Sequence, residues 1–287
     1  MAEHAGAPLY GEPAGADHLG PDGQDLLRWA SGEAAGLVSL ASHELRTPLT
    51  AIKALAGMLA SQHAEGRPLR TDFLPLLDEE TDRLTRMLDA LAVLGRAESG
   101  RLAWEWSGLH VNEAVDEAVE VLRTPLARRG LDAAVATDPP PPVVRGDRPR
   151  LVQALAGCIE LVATWCEGPG ALLVWAAPPV GAPAGAELVV LGGPATRVDD
   201  LRQLAAGGGS PDELMWGPGP AQLATRNLLG LSAQFVFAAH GGDLRAVRLA
   251  DVAGFWGSIR SPDTQPTPAI LRRVEEQHGP NTDLGRG

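Results

Sequence analysis

Residues 42–52 read Ser42-His43-Glu44-Leu45-Arg46-Thr47-Pro48-Leu49-Thr50-Ala51-Ile52 and lie within a long periodic stretch of the chain. Apolar residues recur at intervals of three and four from Asp25 to about Gln62, which predicts one long amphipathic helix. A polar turn containing Gly66 follows. A second apolar stripe begins at Thr71, so the sequence predicts a second helix that folds back on the first.

The apolar stripes of these two predicted helices are too broad for a single hairpin to bury. A second copy of the chain would cover them, and two hairpins together would form a four-helix bundle. The alternative is a solitary hairpin that packs on the downstream part of the chain. We expect a homodimer.

After residue 100 the pattern changes to shorter mixed elements, which predicts an α/β sandwich. The expected fold is therefore α+β, with an antiparallel helical hairpin that forms a dimeric four-helix bundle and then the sandwich. Its predicted parts are a disordered lead 1–23, a hairpin 24–98, a sandwich domain 99–260 and a disordered tail 261–287. Predicted strands in the sandwich are 102–106, 131–136, 172–176, 188–191, 244–249 and 252–259, and predicted helices are 111–127, 149–165 and 221–239.

Composition narrows the classes of partner. The formal net charge is -12 and no basic tract is present, which argues against nucleic acid or an anionic membrane as the partner. No apolar run reaches the roughly 18 to 20 residues that span a bilayer, so we expect a cytoplasmic protein. Cys158 and Cys166 offer neither a disulfide nor metal-ligand spacing, and we expect no dedicated metal site.

His43 has the surroundings that a phosphate-accepting imidazole requires. Such a ring must be exposed, with one nitrogen free to attack and the other held in the correct tautomer. Glu44 is the adjacent carboxylate that can orient the ring and take its proton. Thr47 lies one helical turn further on the same face, where its hydroxyl can position a water. Pro48 cannot donate to the carbonyl of Glu44, which predicts a bend beside the reactive residue.

This run resembles the phosphoacceptor box of two-component sensor histidine kinases, in which a His-Glu-Leu-Arg-Thr-Pro-Leu sequence lies on the first helix of a dimeric hairpin. The resemblance covers residues 43–52. It implies that His43 is phosphorylated, that Glu44 is the general base and that Thr47 is needed to dephosphorylate a partner regulator. It also implies a response regulator receiver domain as the partner.

The same resemblance implies that residues 102–259 form an ATP-binding sandwich, but the motifs of that domain differ here. Gly157, Leu161 and Thr164 stand where the family has two asparagines and a basic residue. Leu191 stands where the family has an aspartate that reads the adenine amino group. Because Mg²⁺ needs hard oxygen ligands, we expect these departures to weaken nucleotide binding.

Three glycines of the family's nucleotide motifs remain, namely Gly193, Gly217 and Gly219. The second glycine of the adenine motif has become Ala195, and two prolines interrupt the glycine-rich lid. Proline removes backbone donors that cradle phosphate. ATP and Mg²⁺ are therefore expected to bind weakly or not at all, while His240-Gly241-Gly242 is expected to form a structural turn.

The leading hypothesis is a histidine kinase family protein that is phosphorylated on His43 and exchanges phosphate with the aspartate of a response regulator. The phosphate would come from a phosphorylated regulator or from another histidine kinase. One alternative is a conventional ATP-dependent autokinase. Another is a pseudokinase scaffold that docks regulators without phosphotransfer. The sequence identifies neither the input signal nor the cognate regulator.

Overall fold

The computed structural model describes residues 21–137, 140–166, 168–179, 185–206, 227–249 and 251–260. The chain divides into two compact units, Met1–Ser39 and Leu40–Gly287. In the first unit the described residues belong to the beginning of helix α1. Predictions for the lead before residue 21, for the glycine-rich segment 207–226 and for the tail 261–287 lie outside the described residues.

The predicted helical hairpin is confirmed. Helix α1 spans Pro21–Ala64, a short 3-10 turn spans Thr71–Phe73, and helix α2 spans Leu74–Glu98. At the end of α1 the backbone of Gly66 has a φ of 64°, and the N–H of Arg67 donates to the carbonyl of Gln62 at 2.9 Å. This left-handed glycine cap ends the helix and turns the chain toward α2.

The second part of the chain contains both helices and strands, as predicted. Its elements in order are β1 Ser107–Leu109, α3 Val111–Arg128, β2 Leu131–Ala136, β3 Val144–Gly146, α4 Arg148–Trp165, β4 Gly170–Ala177, β5 Ala186–Pro194, α5 Val198–Ala206, α6 Leu228–Ala239, β6 Asp243–Leu249 and β7 Val252–Ile259.

One predicted strand is wrong. Residues 102–106 form no strand. Backbone groups of this stretch pair with side chains, since the N–H of Glu105 donates to Asp147 at 2.8 Å and Arg150 donates to the carbonyl of Ala103 at 2.7 Å. The strand that does form is β1, which pairs in antiparallel register with β3. Sequence reasoning did not find β3, which has three residues, or α5, which has nine.

The main sheet has five strands in the order β2-β4-β5-β7-β6. Strands β2 and β4 are parallel, and the other neighbours are antiparallel. The parallel pair is connected by a crossover that includes α4, as parallel strands require. The antiparallel strands β6 and β7 are joined by a short connection at the edge of the sheet.

Helices cover both faces of this sheet. On one face Gly192 of β5 lies against α4, where an added Cβ would approach a methyl group of Val162 at 2.6 Å. On the other face Leu201 of α5 is fully buried in an apolar cluster with Leu173 and Leu191 of the sheet. The core therefore has two layers, and neighbouring residues of β5 face different helices.

The two cysteines carry free thiols, as expected. Cys158 is buried in α4 and Cys166 lies at its C-terminal cap. Burial raises the pKa of both thiols, that of Cys166 to about 11. Neither thiol is activated as a nucleophile, since reactivity requires the thiolate.

No helix in the described part of the chain is long and apolar enough to cross a membrane. The cytoplasmic location stays a prediction.

Candidate active site

His43 is exposed on α1, in the first half of the hairpin. Ala41, two residues earlier, and Pro48, five residues later, are both buried, so this part of α1 has one packed side and one open side. The imidazole is on the open side. A partner can therefore reach it, as a phosphate-accepting nucleophile requires.

Glu44 is only half-buried, and its carboxylate has a partner far away in the sequence. Its Oε2 accepts a hydrogen bond from the backbone N–H of Leu228, the first residue of α6, at 2.8 Å. Burial raises the pKa of Glu44, while the Leu228 bond and the nearby Arg83 and His43 act in the opposite direction. The carboxylate beside His43 thus accepts a hydrogen bond from the second domain in this structure.

Thr47 is exposed one helical turn after His43, as the sequence predicted. Helix α1 continues unbroken through Pro48. Thr50 donates its hydroxyl to the carbonyl of Arg46 at 2.7 Å, a side-chain bond to the preceding turn of the helix. His43 and Thr47 therefore present an imidazole and a hydroxyl on an open, continuous helical surface.

A buried carboxylate links the hairpin to the sandwich domain close to this site. Glu160 of α4 lies 2.9 Å from Nε of Arg83 and 2.8 Å from Nε of Arg86, both on α2. Only the Arg86 contact has hydrogen-bond geometry, so Arg83 contributes its charge more than a directed bond. Because the side chain of Glu160 is 5% exposed, these ion pairs are shielded from solvent.

The positions that correspond to the family's asparagines contribute no side-chain oxygen that faces a cleft. A Cβ on Gly157 would lie 3.2 Å from Cβ of Leu229, so α6 packs directly on this position. Leu161 is buried. Thr164 is exposed, but its hydroxyl donates to the carbonyl of Leu161 at 2.7 Å. This donor set does not fit Mg²⁺, which binds through oxygen ligands.

The end of β5 also lacks a carboxylate that could accept a hydrogen bond from the adenine amino group. Leu191 faces α5, on the opposite side of the sheet from α4, and Gly192 is the residue that faces α4. A leucine or a glycine supplies no hydrogen-bonding side chain at either position. Ala195, which replaces the second glycine, has a φ of 56°, so the turn keeps a left-handed backbone that favours glycine.

The three remaining motif glycines are not brought together by the described residues. Gly193 lies in β5, where an added Cβ would approach the carbonyl oxygen of Asp251 and a methyl group of Thr196, both at 3.0 Å. That position is packed by protein atoms. Gly217 and Gly219 lie outside the described residues, and their assignment to a nucleotide lid stays a prediction.

Sequence reasoning missed a buried polar network around Asp147 and His240, next to the segment that connects α2 to β1. The ring of His240 accepts a hydrogen bond at Nε2 from the N–H of Asp147 at 2.9 Å, and Nδ1 lies 2.7 Å from the carbonyl oxygen of Val236. Since the carbonyl requires a donor, the ring carries its proton on Nδ1. Burial lowers the pKa of His240 and favours this neutral form. The His240 turn is thus structural.

The stretch that contains the exposed His43 is similar to known histidine kinases. Residues 35–100 match the family model of the His Kinase A (phospho-acceptor) domain, a range that includes His43 and all of α2. The chain is also 28% identical over 168 residues to the signal transduction histidine-protein kinase BaeS of Escherichia coli strain K12, a match that covers 56% of this chain. Residues 35–100 thus resemble a phospho-acceptor domain, and the similarity of the chain to BaeS supports a two-component sensor histidine kinase. The match covers 35% of BaeS, so the chain spans about a third of that relative.

Solved structures of histidine kinases have the same fold. The Acinetobacter baumannii histidine kinase AdeS aligns with a TM-score of 0.50 and 17% identity over 77% of this chain and 98% of that chain. Histidine kinase ThkA, solved in complex with the response regulator protein TrrA, aligns with a TM-score of 0.50 and 16% identity over 85% of this chain and 64% of that chain. The sandwich domain therefore has the fold of a histidine kinase catalytic domain.

The described residues contain no group of three or more His, Cys, Asp and Glu side chains placed to hold a metal ion. The part of the motif region that the structure describes does not fit ATP and Mg²⁺, because Gly157, Leu161 and Leu191 offer no ligand atoms in their side chains. His43 is exposed and lies within the residues that match the phospho-acceptor domain.

Proposed function

We propose that this protein accepts phosphate on His43 and exchanges it with the aspartate of a response regulator receiver domain, with little or no use of ATP of its own. The observation that carries the proposal is the exposed imidazole of His43 on the phosphoacceptor hairpin. A receiver domain is the partner class that this chemistry requires, and the relative ThkA was solved with a response regulator.

The transfer is balanced without a further reactant. The lone pair of one ring nitrogen of His43 attacks phosphorus in the aspartyl phosphate of the receiver. A nitrogen–phosphorus bond forms, and the bond between phosphorus and the aspartate oxygen breaks, leaving the carboxylate with its electron pair. The phosphorylated ring then releases the proton of its second nitrogen, and Glu44 is the adjacent base that can take it. The reverse sequence returns phosphate to a receiver.

Thr47 gives the same surface a second activity. Its exposed hydroxyl lies one turn from His43, where it can hold a water for attack on a receiver's aspartyl phosphate. Such a water would release inorganic phosphate and restore the receiver's carboxylate. We therefore include regulator dephosphorylation, through Thr47, in the proposed function.

ATP is a poor phosphate source for this chain. An asparagine oxygen for the metal and an aspartate for the adenine are missing at the described positions, and each lost charge-assisted contact is worth roughly 1.5 to 3 kcal/mol. Two such losses lower affinity by about two to four orders of magnitude. The phosphate donor is then a phosphorylated receiver domain or another histidine kinase.

The test compares two donors on the purified protein. Labelled ATP with Mg²⁺ should leave no label on the chain, while a receiver domain charged with labelled phosphate should transfer acid-labile label to it. Titration of the chain with ATP and Mg²⁺ in a calorimeter should give no heat at micromolar concentrations. Rapid acid-labile labelling from ATP alone would contradict the proposal and indicate a conventional autokinase. Absence of label from either donor would indicate a scaffold without phosphotransfer.

We also propose that the hairpin forms a homodimer. In the single chain several large apolar side chains of the hairpin after residue 39 are exposed, namely Leu49, Met58, Leu69, Leu74, Leu76 and Leu88. A four-helix bundle would bury such surfaces. Sedimentation velocity at micromolar concentration should give twice the chain mass of 30.0 kDa. A species of 30.0 kDa that persists on concentration would contradict dimerisation.

A further inference from the structure

Arg83 lies in a cluster of charged side chains that includes Glu44, the base proposed for His43. Its Nε is 2.9 Å from Oε1 of Glu160, and its charge also acts on the carboxylate of Glu44. The guanidinium comes from α2, the second helix of the hairpin, and Glu44 comes from α1, the first. The Arg83–Glu44 pair is therefore contained within the hairpin that carries His43.

Packing between α4 and α6 brings both members of this pair to the same place. Glu160 lies one turn after Gly157 on α4, so the two residues share a helix face. A Cβ on Gly157 would lie 3.2 Å from Cβ of Leu229 in α6. The N–H of Leu228, the preceding residue, donates to Oε2 of Glu44 at 2.8 Å. The groups that contact the two members of the pair thus lie on helices that pack directly together.

Glu160 has a directed partner other than Arg83. Nε of Arg86 donates to Oε2 of Glu160 at 2.8 Å, whereas Nε of Arg83 has no hydrogen-bond partner in the described structure. Two guanidinium groups therefore face one carboxylate, whose side chain is 5% exposed. Buried charges are retained where they are paired, and the second positive charge acts on Glu44. Arg83 is thus shared between the two carboxylates.

A positive charge near Glu44 opposes the effect of burial on this base. The side chain is half-buried, and burial raises the pKa of Glu44, which favours the protonated form that cannot accept the ring proton. In the described structure the N–H of Leu228, Arg83 and His43 oppose this rise. The N–H is uncharged, and His43 must be neutral to attack with its lone pair. Arginine stays protonated, so Arg83 supplies the lasting positive charge among these groups.

We propose that Arg83 is a positioning residue for phosphate exchange at His43, where its guanidinium holds the Glu44 carboxylate in its ionised form beside the imidazole. This inference rests on the proposed function, because it assigns the surroundings of the base in that reaction. During transfer the N–H bond of the ring breaks and an O–H bond forms on Glu44, at Oε1 because Oε2 accepts from Leu228. Arg83 neither gains nor loses a proton.

The test replaces Arg83 with methionine, which keeps an unbranched side chain and removes the charge. With burial less opposed, the pKa of Glu44 should rise, so the base should be lost at a higher pH as the pH falls. The measured quantity is the initial rate of His43 labelling by a phosphorylated receiver domain, divided by the rate of the unmodified protein at the same pH. This ratio should be about tenfold below one at acid pH and approach one as the pH rises.

Two further variants separate the charge of Arg83 from its packing. Arg86→Met removes a guanidinium from the same Glu160, and because its bond is directed at that carboxylate its rate ratio should not change with pH. Arg83→Lys keeps the charge, so its ratio should stay close to one at every pH. A ratio for Arg83→Met that is lowered equally at every pH would overturn the proposal. An equal pH dependence in Arg86→Met or in Arg83→Lys would also overturn it.

A second measurement follows the ionisation of Glu44 without any phosphotransfer. Glutamate carboxyl carbons are labelled with carbon-13, and the nuclear magnetic resonance signal that Glu44→Gln removes is assigned to Glu44. Its titration midpoint should lie at higher pH in Arg83→Met than in the unmodified protein, and Arg86→Met should leave the midpoint unchanged. An unchanged midpoint in Arg83→Met would overturn the proposal. Arg83→Gln takes the place of Arg83→Met if the methionine variant does not fold.

The two measurements also separate this inference from the proposed function. A shifted midpoint with no label on the unmodified chain at any pH would overturn phosphate exchange at His43, and the role of Arg83 in that exchange with it. Label on the unmodified chain with an unchanged midpoint would overturn the role of Arg83 alone. Labelling of the unmodified chain is therefore measured before the variants are compared.

Discussion

A His43→Gln variant should lose its acid-labile phosphate almost completely when it is incubated with a labelled phosphorylated receiver domain. The reason is chemical, since the imidazole nitrogen is the nucleophile and a carboxamide nitrogen has no available lone pair. Removing a nucleophile from a preorganised site lowers rates by at least about a thousandfold. The exposed position of His43 means that glutamine fits without repacking, so the loss should not come from unfolding.

The chain offers a matched control for this experiment. His63 is also exposed and lies near the end of the same helix, but its neighbours are Gln62 and Ala64. His63→Gln should label at the rate of the unmodified protein. Equal label on His43→Gln and the unmodified chain would place the phosphate elsewhere. Loss of label in both variants would indicate a general effect of histidine replacement on the helix.

Much of the hairpin could be predicted because its signals are local. The three-and-four spacing of apolar residues predicts helices regardless of what the rest of the chain does. The predicted helix 111–127 and strand 131–136 agree with α3 and β2 to within one residue, since each is bounded by a clear change in pattern. The exposure of His43 and Thr47 also followed from their places on α1.

The partner of Glu44 could not be predicted from sequence. Leu228 is 184 residues away and contributes a backbone N–H, which carries no side-chain signature. Glu160 shows the same limitation, because its charge in the middle of an apolar helix indicates a partner without saying which arginines supply it. Contacts between domains depend on how helices meet, and the periodicity of one helix does not encode that.

The sequence also did not indicate which residues of β5 face each side of the sheet. Residues 188–191 read Leu-Val-Val-Leu, so the alternation that normally separates the two faces of a strand is absent. Only the structure shows that Leu191 faces α5 while Gly192 faces α4. The placement also explains why both residues are apolar or small, because each side of this strand is covered by a helix.

Replacing the buried carboxylate of Asp147 should strongly destabilise the sandwich domain. It is fully buried, and it accepts from the N–H of Glu105 at 2.8 Å, from the N–H of Arg150 at 3.2 Å and from the guanidinium of Arg150 at 2.5 Å. The side chain of Arg150 is itself only 16% exposed. Asp147→Ala would leave this guanidinium short of its counter-charge and two backbone donors without acceptors, so the free energy of unfolding should fall by about 3 to 5 kcal/mol.

Two comparison variants separate the contribution of the helix cap from that of the charge of Asp147. Asn227 caps α6 through one hydrogen bond to Leu229 and has no ion pair in the described structure, so Asn227→Ala should cost about 1 kcal/mol. Asp147→Asn keeps an oxygen for the cap but removes the charge, and its cost should fall between the two. Urea unfolding followed by the total tryptophan fluorescence measures these costs, and two of the seven tryptophans, Trp104 and Trp106, pack beside His240 in this region.

The order of the three losses in unfolding free energy distinguishes the roles of the Asp147 carboxylate. If Asp147→Ala costs no more than Asn227→Ala, the burial and the charge of Asp147 add nothing to an ordinary helix cap. If Asp147→Asn costs as much as Asp147→Ala, the ion pair with Arg150 accounts for the effect and the cap does not. The expected gradation instead follows from a single carboxylate that caps α4, neutralises Arg150 and anchors the connection at Glu105, three roles that alanine removes together.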